Sequence, residues 1–408
     1  MKVLFICGCN IQNGEVSVAS WTQSIIHHLD PQIEICIAGV SGEAADRQTV
    51  FRAYEKQVPV FLFPQNRIAV RIPQILRENQ CRAILLFGTE NPFTEAFVAA
   101  VEAAGMLKKT ILFLQGMCGA CARHYYEGVP ERVAKQYTFR DLIRRDRVID
   151  QQKEMFQKAE REKRVICKLQ NVIGRTTMDR AIVNLYHPEA RYFKCNDVLR
   201  KGFYERSWSY EGCKKHSIFI SQFYYPLKGF HFLLQAASLL LPKYPDLQIV
   251  AAGYNPVNKG LDVKELKDSA YIRYLKKLAK AYSLVDRIQL TGILNEEKMI
   301  EQYLGCNVFV LPSTIENSPN SLAEAMTLGV PTVSSDVGGV SDYATHGVDA
   351  YLYPATEPYL LAHYIDRVFE DPQGAIRMGA SARKRGLEDY HFKSNMNTLA
   401  EIIQKVSE

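Results

Sequence analysis

A short apolar run followed by a helix-like stretch recurs along this chain of 408 residues, and this rhythm constrains the fold more than any other sequence feature. Apolar runs of about four to eight residues between amphipathic segments predict buried strands that alternate with helices. Such alternation is typical of an α/β fold whose parallel sheet is covered on both faces. In the first half the predicted strands are Val3–Cys7, Ile33–Ala38, Val58–Phe63, Ala83–Phe87 and Thr110–Leu114.

The rhythm begins again in the second half, after a polar stretch near Trp208–Lys215 that lacks clear periodicity. We therefore expect two doubly wound, Rossmann-like domains that face each other across a cleft. Residues 1–208 form the first predicted domain, with a helical insertion at about 134–168. Residues 209–388 form the second, and 389–408 are predicted as a helix that returns to the first. Ligands of such sheets bind beyond the carboxyl ends of the strands, so the loops there are expected to carry the function.

Positive charge is concentrated in one region of the chain. The net charge is +6, and residues 121–206 hold 20 Lys and Arg against 12 Asp and Glu. This excess indicates either a solvated helical face or an attraction to an anionic membrane surface or a phosphorylated acceptor. We expect no nucleic-acid partner, because no known nucleic-acid-binding module surrounds these basic residues.

The sequence favours a cytoplasmic protein, at most peripheral at the inner face of the membrane. The first apolar run is interrupted at once by Gly8, which argues against a signal sequence, and no apolar segment is long enough to span a bilayer. The ten cysteines are scattered, and the Cys118-x-x-Cys121 pair has no second pair at zinc spacing. We therefore expect reduced thiols.

The stretch Leu311–Met326 leaves an apolar strand and enters a helix, and it is the most informative part of the sequence. Ser318 is the predicted N-cap, and Pro319 suits the first helical position. The unpaired N–H groups of a helix N-terminus bind anions readily. The predicted donors to such an anion are the N–H groups of Asn320, Ser321 and Leu322.

Two carboxylates flank this predicted anion site at a spacing of Glu316-x7-Glu324. A carboxylate accepts two parallel hydrogen bonds and so matches the vicinal diol of a sugar or a ribose. A diphosphate with an acid at each side has the outline of a nucleotide-sugar site. The alternative is that Glu316 is a surface loop acid and that Glu324 only complements the helix dipole.

Lys228 lies at the predicted beginning of another helix, in the segment Pro226–Gly229. A lysine there opposes the helix dipole unless an anion lies beside it, so a diphosphate would turn an unfavourable position into a useful one. Gly253 and Tyr254 follow a further strand, where a base or ribose can rest against the backbone. A solvated lysine and an ordinary turn are the alternatives.

Taken together, Pro226-x-Lys228-Gly229, Gly253, Glu316-x7-Glu324 and Gly338-Gly339 resemble the retaining GT-B glycosyltransferases of family 4, the glycosyl transferases group 1. This family includes many enzymes of bacterial polysaccharide biosynthesis. The resemblance implies a GT-B fold with a donor domain in the second half. It also implies transfer of a hexose from a nucleotide-diphospho-sugar to a hydroxyl of a saccharide or lipid-linked acceptor. No cofactor or metal is expected, and no Asp-x-Asp occurs in the chain.

The resemblance also implies roles for single residues. Glu316 would contact the donor hexose, Glu324 the ribose, and Lys228 the diphosphate. Gly14 would face the same phosphates from the first domain, and Gly253 and Tyr254 would line the donor.

Three positions depart from the family pattern or carry open alternatives. Phe223 stands where the family often has an arginine, and Gln222 would then be a neutral donor-site contact. A family histidine is absent near Glu90, which we expect to contact the acceptor. Arg175 is predicted either as a phosphate or acceptor contact or as a structural residue.

Two other functions use the same fold. A nucleotide-sugar epimerase would need the donor but no acceptor, and a catalytically weak protein would bind the donor without transfer. A nicotinamide-dependent dehydrogenase is not expected, because the residues after the first strand lack the G-x-G-x-x-G pattern.

Overall fold

The computed structural model describes residues 1–12, 15–42, 46–53, 56–253 and 268–408, and it divides the chain into two compact units. Unit 1 comprises Met1–Gly119, Phe156–Arg200 and Tyr390–Glu408. Unit 2 comprises Ala120–Met155 and Lys201–Asp389. The predicted boundaries differ from this division, because residues 120–155 and 201–208 belong to unit 2 and not to the first unit.

Within the described residues the strands are β1 (Lys2–Ile6), β2 (Cys9–Gln12), β3 (Glu15–Val18), β4 (Glu34–Val40), β5 (Arg47–Ala53), β6 (Lys56–Phe63), β7 (Ala83–Phe87), β8 (Thr110–Phe113), β9 (Asn171–Gly174), β10 (Arg191–Lys194), β11 (Ser217–Ile220), β12 (Gln248–Ala252), β13 (Ile288–Gly292), β14 (Val308–Leu311), β15 (Thr332–Ser335) and β16 (Tyr351–Tyr353).

The helices of the same described ranges are α1 (Ser20–His28), α2 (Ile68–Glu78), α3 (Thr94–Ala103), α4 (Cys118–Arg123), α5 (Glu131–Lys135), α6 (Phe139–Arg144), α7 (Val148–Lys168), α8 (Thr177–Tyr186), α9 (Gly202–Glu205), α10 (Phe230–Leu240), α11 (Ala270–Ala281), α12 (Glu296–Gly305), α13 (Asn320–Leu328), α14 (Val340–Tyr343), α15 (Pro358–Glu370), α16 (Pro372–Asp389) and α17 (Phe392–Ser407).

Unit 1 is built on one sheet with the strand order β10-β9-β8-β7-β1-β4-β6-β5. Neighbouring strands are parallel except β5, which runs antiparallel to β6. Val3 of β1 pairs with Ile35 on one side and with Ala83 on the other, and all three are buried. Strands buried on both faces explain the continuous apolar runs in the sequence. The hairpin of β2 and β3 is separate from this sheet.

Unit 2 is built on a parallel sheet with the order β13-β12-β11-β14-β15-β16. The chain first adds strands on one side of β11 and then crosses to add β14 on the other side. The strand order therefore reverses between β11 and β14, and the two loops that leave these strands diverge there. Such a switch point is where open α/β sheets bind ligands. The α/β fold class predicted from the sequence is confirmed.

Residues 120–155 belong to unit 2 because their apolar side chains pack into its core. Val129 and Val133 share a buried cluster with residues of α10. The buried His231 of α10 donates from Nε2 to the carbonyl of Glu127 at 3.0 Å, and its Nδ1 accepts from the hydroxyl of Tyr271 at 3.0 Å. Burial lowers the pKa of His231 to about 4, so the ring is neutral near pH 7 and can make both bonds.

Arg175 has a structural role in unit 1, which was one of the two alternatives that the sequence left open. Its side chain is 2% exposed and forms an ion pair with Asp197, which is 1% exposed. The same guanidinium donates to the carbonyl oxygens of Leu114 and Gln115, each at 3.2 Å. The predicted phosphate or acceptor contact is therefore corrected, because the group is enclosed by partners from its own unit.

We predict that Arg175→Met lowers the free energy of unfolding of unit 1 by about 3–5 kcal/mol, because it leaves the carboxylate of Asp197 buried without its cation. The chain has two tryptophans, Trp21 in unit 1 and Trp208 in unit 2. Urea unfolding followed by fluorescence in a Trp208→Phe background therefore reports unit 1 alone.

The double variant Arg175→Met/Asp197→Asn should lose clearly less stability than the single one, and Arg180→Met on the exposed surface of α8 should change little. Equal losses in the single and double variants would contradict a role for the buried pair.

Candidate functional site

The candidate site lies in unit 2, in the loops that leave β11 and β14 at the switch point of the sheet. A single 3₁₀ turn, Pro226–Lys228, follows β11 and leads into α10. The Nζ of Lys228 lies 2.5 Å from Oε1 of Glu316, which is in the loop after β14. Their side chains are 18% and 12% exposed. The structure thus brings together two residues that lie 88 positions apart in the sequence.

Gly229 allows this close approach of the two loops. It has a left-handed backbone with φ +65°, and a Cβ built there would lie 1.8 Å from the carbonyl oxygen of Pro312. Any other residue would push the loop after β14 away from the turn that carries Lys228. The amide of Thr314 donates to the carbonyl of Leu227 at 2.9 Å and holds the loops together on the other side.

Glu316 is held in position by several hydrogen bonds. The hydroxyl of Ser313 donates to its Oε1 at 2.7 Å, and its carbonyl accepts from the amide of Gly339 at 3.0 Å. The hydroxyl of Ser335, at the end of β15, donates to the carbonyl of Ser313 at 2.6 Å. The carboxylate therefore contacts Ser313 and Lys228, the backbone of Glu316 is held by Gly339, and the residue is not a free surface acid.

The electrostatics of the pair keep Lys228 protonated. Burial by itself lowers the pKa of Lys228, but the adjacent Glu316 carboxylate outweighs it and raises the pKa above its ordinary value. The ammonium also lies 5.7 Å from the ring centre of Tyr225, whose own pKa burial raises to about 12. Lys228 is thus a fixed cation whose charge is shared with one carboxylate.

The helix α13 begins one residue later than the sequence suggested. Asn320 is the first helical residue, and Pro319 occupies the N-cap position without a side-chain cap. The prediction of Ser318 as the N-cap is wrong, because its hydroxyl instead lies 3.1 Å from that of Tyr343. Leu322 is also not a free donor, because its amide donates to the carbonyl of Pro319 at 3.0 Å.

Asn320 and Ser321 remain at the open first turn of α13, where helix amides lack intrahelical acceptors. The Oδ1 atom of Asn320 is buried and has no hydrogen-bond partner among the described residues. A buried polar atom without a partner is costly, which makes it a candidate for contact with a ligand.

Glu324 is placed in the second turn of α13 by Tyr303 of α12. The Tyr303 hydroxyl is shared between Oε2 of Glu324, at 3.2 Å, and the carbonyl of Ser321, at 3.1 Å. The side chain of Tyr303 is fully buried, so it holds Glu324 from below the helix while the carboxylate itself stays partly exposed.

Gly253 and Gln222 meet at the ends of β12 and β11. A Cβ built at Gly253, which has φ +112°, would lie 3.5 Å from Cα of Gln222. The exposed Gln222 accepts from the Tyr225 hydroxyl at 3.1 Å. Two predicted contacts, Gly14 and Tyr254, lie outside the described residues.

Glu90 lies in unit 1, beside a pocket of about 890 Å³ at the carboxyl ends of β1, β4 and β7. Its Oε2 accepts from the amide of Thr89 at 2.8 Å. The pocket combines polar and aromatic walls, including Trp21, Phe87 and Phe93. Such a mixture suits a ligand with both hydroxyl groups and apolar faces.

The sequence did not indicate Ser313, Tyr225, Tyr303 and Ser335, which position the predicted residues. Ser313 is adjacent to a strand end, as ordinary turn residues are, and Tyr303 falls at a core position of an amphipathic helix. Their roles depend on contacts between distant segments, so local spacing carried no signal for them.

Two kinds of feature are absent from the described residues. There is no group of three or more His, Cys, Asp or Glu side chains arranged to hold a metal ion. In the same part of the chain no helix has the length and apolar character that a membrane crossing requires.

Residues 206–385, which enclose this site, match the family model of glycosyl transferases group 1. The match contains Lys228, Glu316 and Glu324 together with the loops that position them. These residues form a group 1 glycosyltransferase domain. The resemblance to the glycosyl transferases group 1 that the sequence motifs indicated is therefore confirmed for residues 206–385.

Several named glycosyltransferases are similar to this chain, but each similarity covers only part of this chain and part of the relative. The chain is 29% identical over 181 residues to an uncharacterised glycosyltransferase of Bacillus subtilis, covering 44% of this chain and 46% of that protein. It is 27% identical over 179 residues to the alpha-D-kanosaminyltransferase of Streptomyces kanamyceticus, covering 44% and 43%. The chain therefore spans less than half of the length of these relatives.

Solved structures extend the likeness beyond the group 1 domain to nearly the whole chain. Sucrose-phosphate synthase from Thermosynechococcus elongatus has a TM-score of 0.71 at 14% identity, covering 99% of this chain and 98% of that one. Anabaena Alr3699/HepE in complex with UDP-glucose has a TM-score of 0.67 at 16% identity, covering 99% and 100%. At such identities the likeness shows the fold, and it confirms the GT-B class.

We predict that Gly229→Ala destabilises unit 2 by about 2 kcal/mol or more, because the methyl group meets the Pro312 carbonyl and the left-handed backbone disfavours alanine. Urea unfolding followed through Trp208 in a Trp21→Phe background measures this loss. Gly305→Ala, at the end of α12 with no atom within 4 Å of the added Cβ, should be neutral or stabilise by up to about 1 kcal/mol. An equal change in the free energy of unfolding for the two variants would contradict the close approach of Gly229 to the carbonyl of Pro312.

Proposed function

We propose that this chain is a glycosyltransferase that moves a hexose from a nucleotide-diphospho-sugar to a hydroxyl group of a saccharide or lipid-linked saccharide. The observation that carries the proposal is the ion pair of Lys228 and Glu316 at the switch point of the group 1 domain. A solvent-exposed pair would contribute little, but this one is mostly enclosed, and Glu316 lies in the loop that leads into the open first turn of α13.

The donor would bind with its diphosphate between Lys228 and the first turn of α13. The ammonium supplies a full positive charge, and the amides of Asn320 and Ser321 supply oriented donors. Glu324, held by Tyr303, would accept hydrogen bonds from the ribose, and Glu316 from the hexose. Two structures of Anabaena HepE, in complex with UDP and with UDP-glucose, support a uridine nucleotide as the first donor to test.

Lys228 would stabilise the negative charge that develops on the diphosphate as the glycosidic bond to the donor breaks. A preorganised cation in a partly dehydrated site is worth more than the same charge in water. The family's frequent arginine is replaced by Phe223, which is buried and packs against Phe230 at 5.5 Å between ring centres. Lys228 would therefore carry a larger share of this stabilisation, with Gln222 adding a neutral contact.

We further propose that transfer proceeds with retention at the anomeric carbon, that the acceptor binds to unit 1, and that the protein is cytoplasmic. The family resemblance supports retention and a role in polysaccharide biosynthesis. The polar and aromatic pocket beside Glu90 in unit 1 would receive the acceptor. A cytoplasmic protein with access to an anionic membrane surface fits a lipid-linked acceptor.

We predict that Lys228→Ala lowers kcat by about a hundredfold or more, as expected when one preorganised charge is removed. Glu316→Gln should also lower kcat strongly. It should, however, bind UDP at least as tightly as the wild type, because the carboxylate no longer competes with the diphosphate for the ammonium of Lys228. Turnover with UDP-glucose and calorimetric titration with UDP measure the two effects.

Lys280→Ala, on the exposed face of α11, is the matched control and should change neither quantity. Normal turnover in the folded Lys228→Ala variant would contradict the donor site. UDP binding without transfer to any acceptor would favour the epimerase or the catalytically weak protein.

We predict that activity survives an excess of chelator, because Lys228 and helix amides would take the place of a divalent ion at the diphosphate. The measurement is the transfer rate before and after EDTA treatment, with re-addition of magnesium as the second step. Loss of activity on chelation with recovery on adding magnesium would show that a metal ion takes part.

A further inference from the structure

Helix α6 exposes its apolar face to solvent. Phe139, Leu142 and Ile143 lie at positions i, i+3 and i+4 of this helix and therefore share one face. Their exposures are 60%, 61% and 66%, and the preceding Tyr137 is 55% exposed. In an ordinary surface helix such an apolar stripe faces the core, so α6 is oriented in the opposite sense. An exposed apolar cluster of this kind marks an interaction surface.

The orientation of α6 is fixed by its polar residues and is not the result of a loose helix. The buried Asp141 accepts from the amide of Ala270, at the beginning of α11, at 3.0 Å. The hydroxyl of Thr138 caps α6 by accepting from the amide of Asp141 at 3.1 Å. A carboxylate thus occupies the inner side of the helix while the aliphatic and aromatic side chains occupy the outer side. The surface is therefore preformed.

The charged side chains of residues 140–150, next to the apolar face in the sequence, are arginines or members of ion pairs. Arg144 and Arg145, at the end of α6, are both exposed. Arg140 forms an ion pair with Asp146 at 2.9 Å, and Arg147 forms one with Asp150 at 2.6 Å. Because Arg140 and Arg147 are paired, Arg144 and Arg145 supply the positive charge beside the apolar face of α6.

We propose that the α6 surface, formed by Tyr137, Phe139, Leu142, Ile143, Arg144 and Arg145, docks this protein on an anionic phospholipid membrane. Aromatic and aliphatic side chains beside arginines are the composition that binds the boundary between headgroups and acyl chains. The apolar residues would enter that boundary, and the two guanidinium groups would meet lipid phosphates. A protein partner or a second copy of the chain would need no excess of positive charge at the rim.

The proposed lipid binding can be tested independently of the transferase activity, because it is measured without a donor or an acceptor. The experiment uses the full chain in flotation with vesicles of phosphatidylcholine alone and with equal parts of phosphatidylcholine and phosphatidylglycerol. Wild type should bind the anionic vesicles, and raised salt should weaken the binding. Leu142→Gln/Ile143→Gln should reduce the binding constant at least about tenfold. Arg144→Gln/Arg145→Asn should reduce it about tenfold.

Two control variants test whether any exposed apolar side chain, or any exposed positive charge, would serve as well as the α6 surface. Leu185→Gln/Ile293→Gln removes two other exposed apolar side chains, which are 79% and 77% exposed. Arg191→Gln/Lys194→Gln removes two exposed charges of β10. Both should bind anionic vesicles like wild type, and all four variants should keep the wild-type melting temperature.

Wild type that fails to bind anionic vesicles would overturn the proposal. Equal loss of binding in the α6 variants and in the controls would overturn it as well, since the α6 surface would then not be specific. A wild-type dimer in sedimentation that becomes a monomer in Leu142→Gln/Ile143→Gln would assign the surface to a second copy of the chain.

Discussion

The candidate site depends on the contact between Lys228 and Glu316. A lysine in the turn after β11 and a carboxylate in the loop after β14, three strands later, meet because the strand order of the sheet reverses between these two strands. Gly229 lets the loops approach, and Ser313 and Ser335 orient the acid. Because the ammonium is already paired, the proposed diphosphate would have to compete with Glu316 for it. The pair therefore sets the charge of the candidate site, because the positive charge of Lys228 is balanced by one carboxylate.

Much of this arrangement was accessible from the sequence because its signals are local. The alternation of apolar runs and helices predicted the two parallel sheets. Continuous apolar runs are typical of strands buried on both faces, which is the arrangement of a parallel sheet covered by helices. Lys228, Glu316 and Glu324 were found because each lies where a strand gives way to a helix, which is where such sheets bind ligands. Their predicted roles toward a donor remain predictions, although their positions in one domain of the group 1 family are now clear.

Features that depend on long-range contacts were missed or misplaced. Ser318 has the composition of a helix N-cap, but its hydroxyl lies beside Tyr343 and the helix begins after Pro319. For Arg175 the sequence left a phosphate or acceptor contact and a structural role open, and only the structure shows the side chain enclosed with Asp197. Residues 120–155 were assigned to the first domain because an amphipathic helix shows that one face is buried but not which sheet buries it. In each case the deciding partner is far away in the chain.

His231 has a consequence for how this protein responds to protons. The folded state holds its pKa near 4, whereas an unfolded histidine titrates near about 6.5. A lowered folded pKa means that stability is complete above the unfolded value and falls as the pH drops from there toward 4, by about 1.4 kcal/mol for each unit. Protonation would also remove the acceptor for Tyr271. Mild acidification therefore destabilises unit 2 around His231, where α10 packs against the segment that carries α6, although the carbonyl of Glu127 can still accept from the ring.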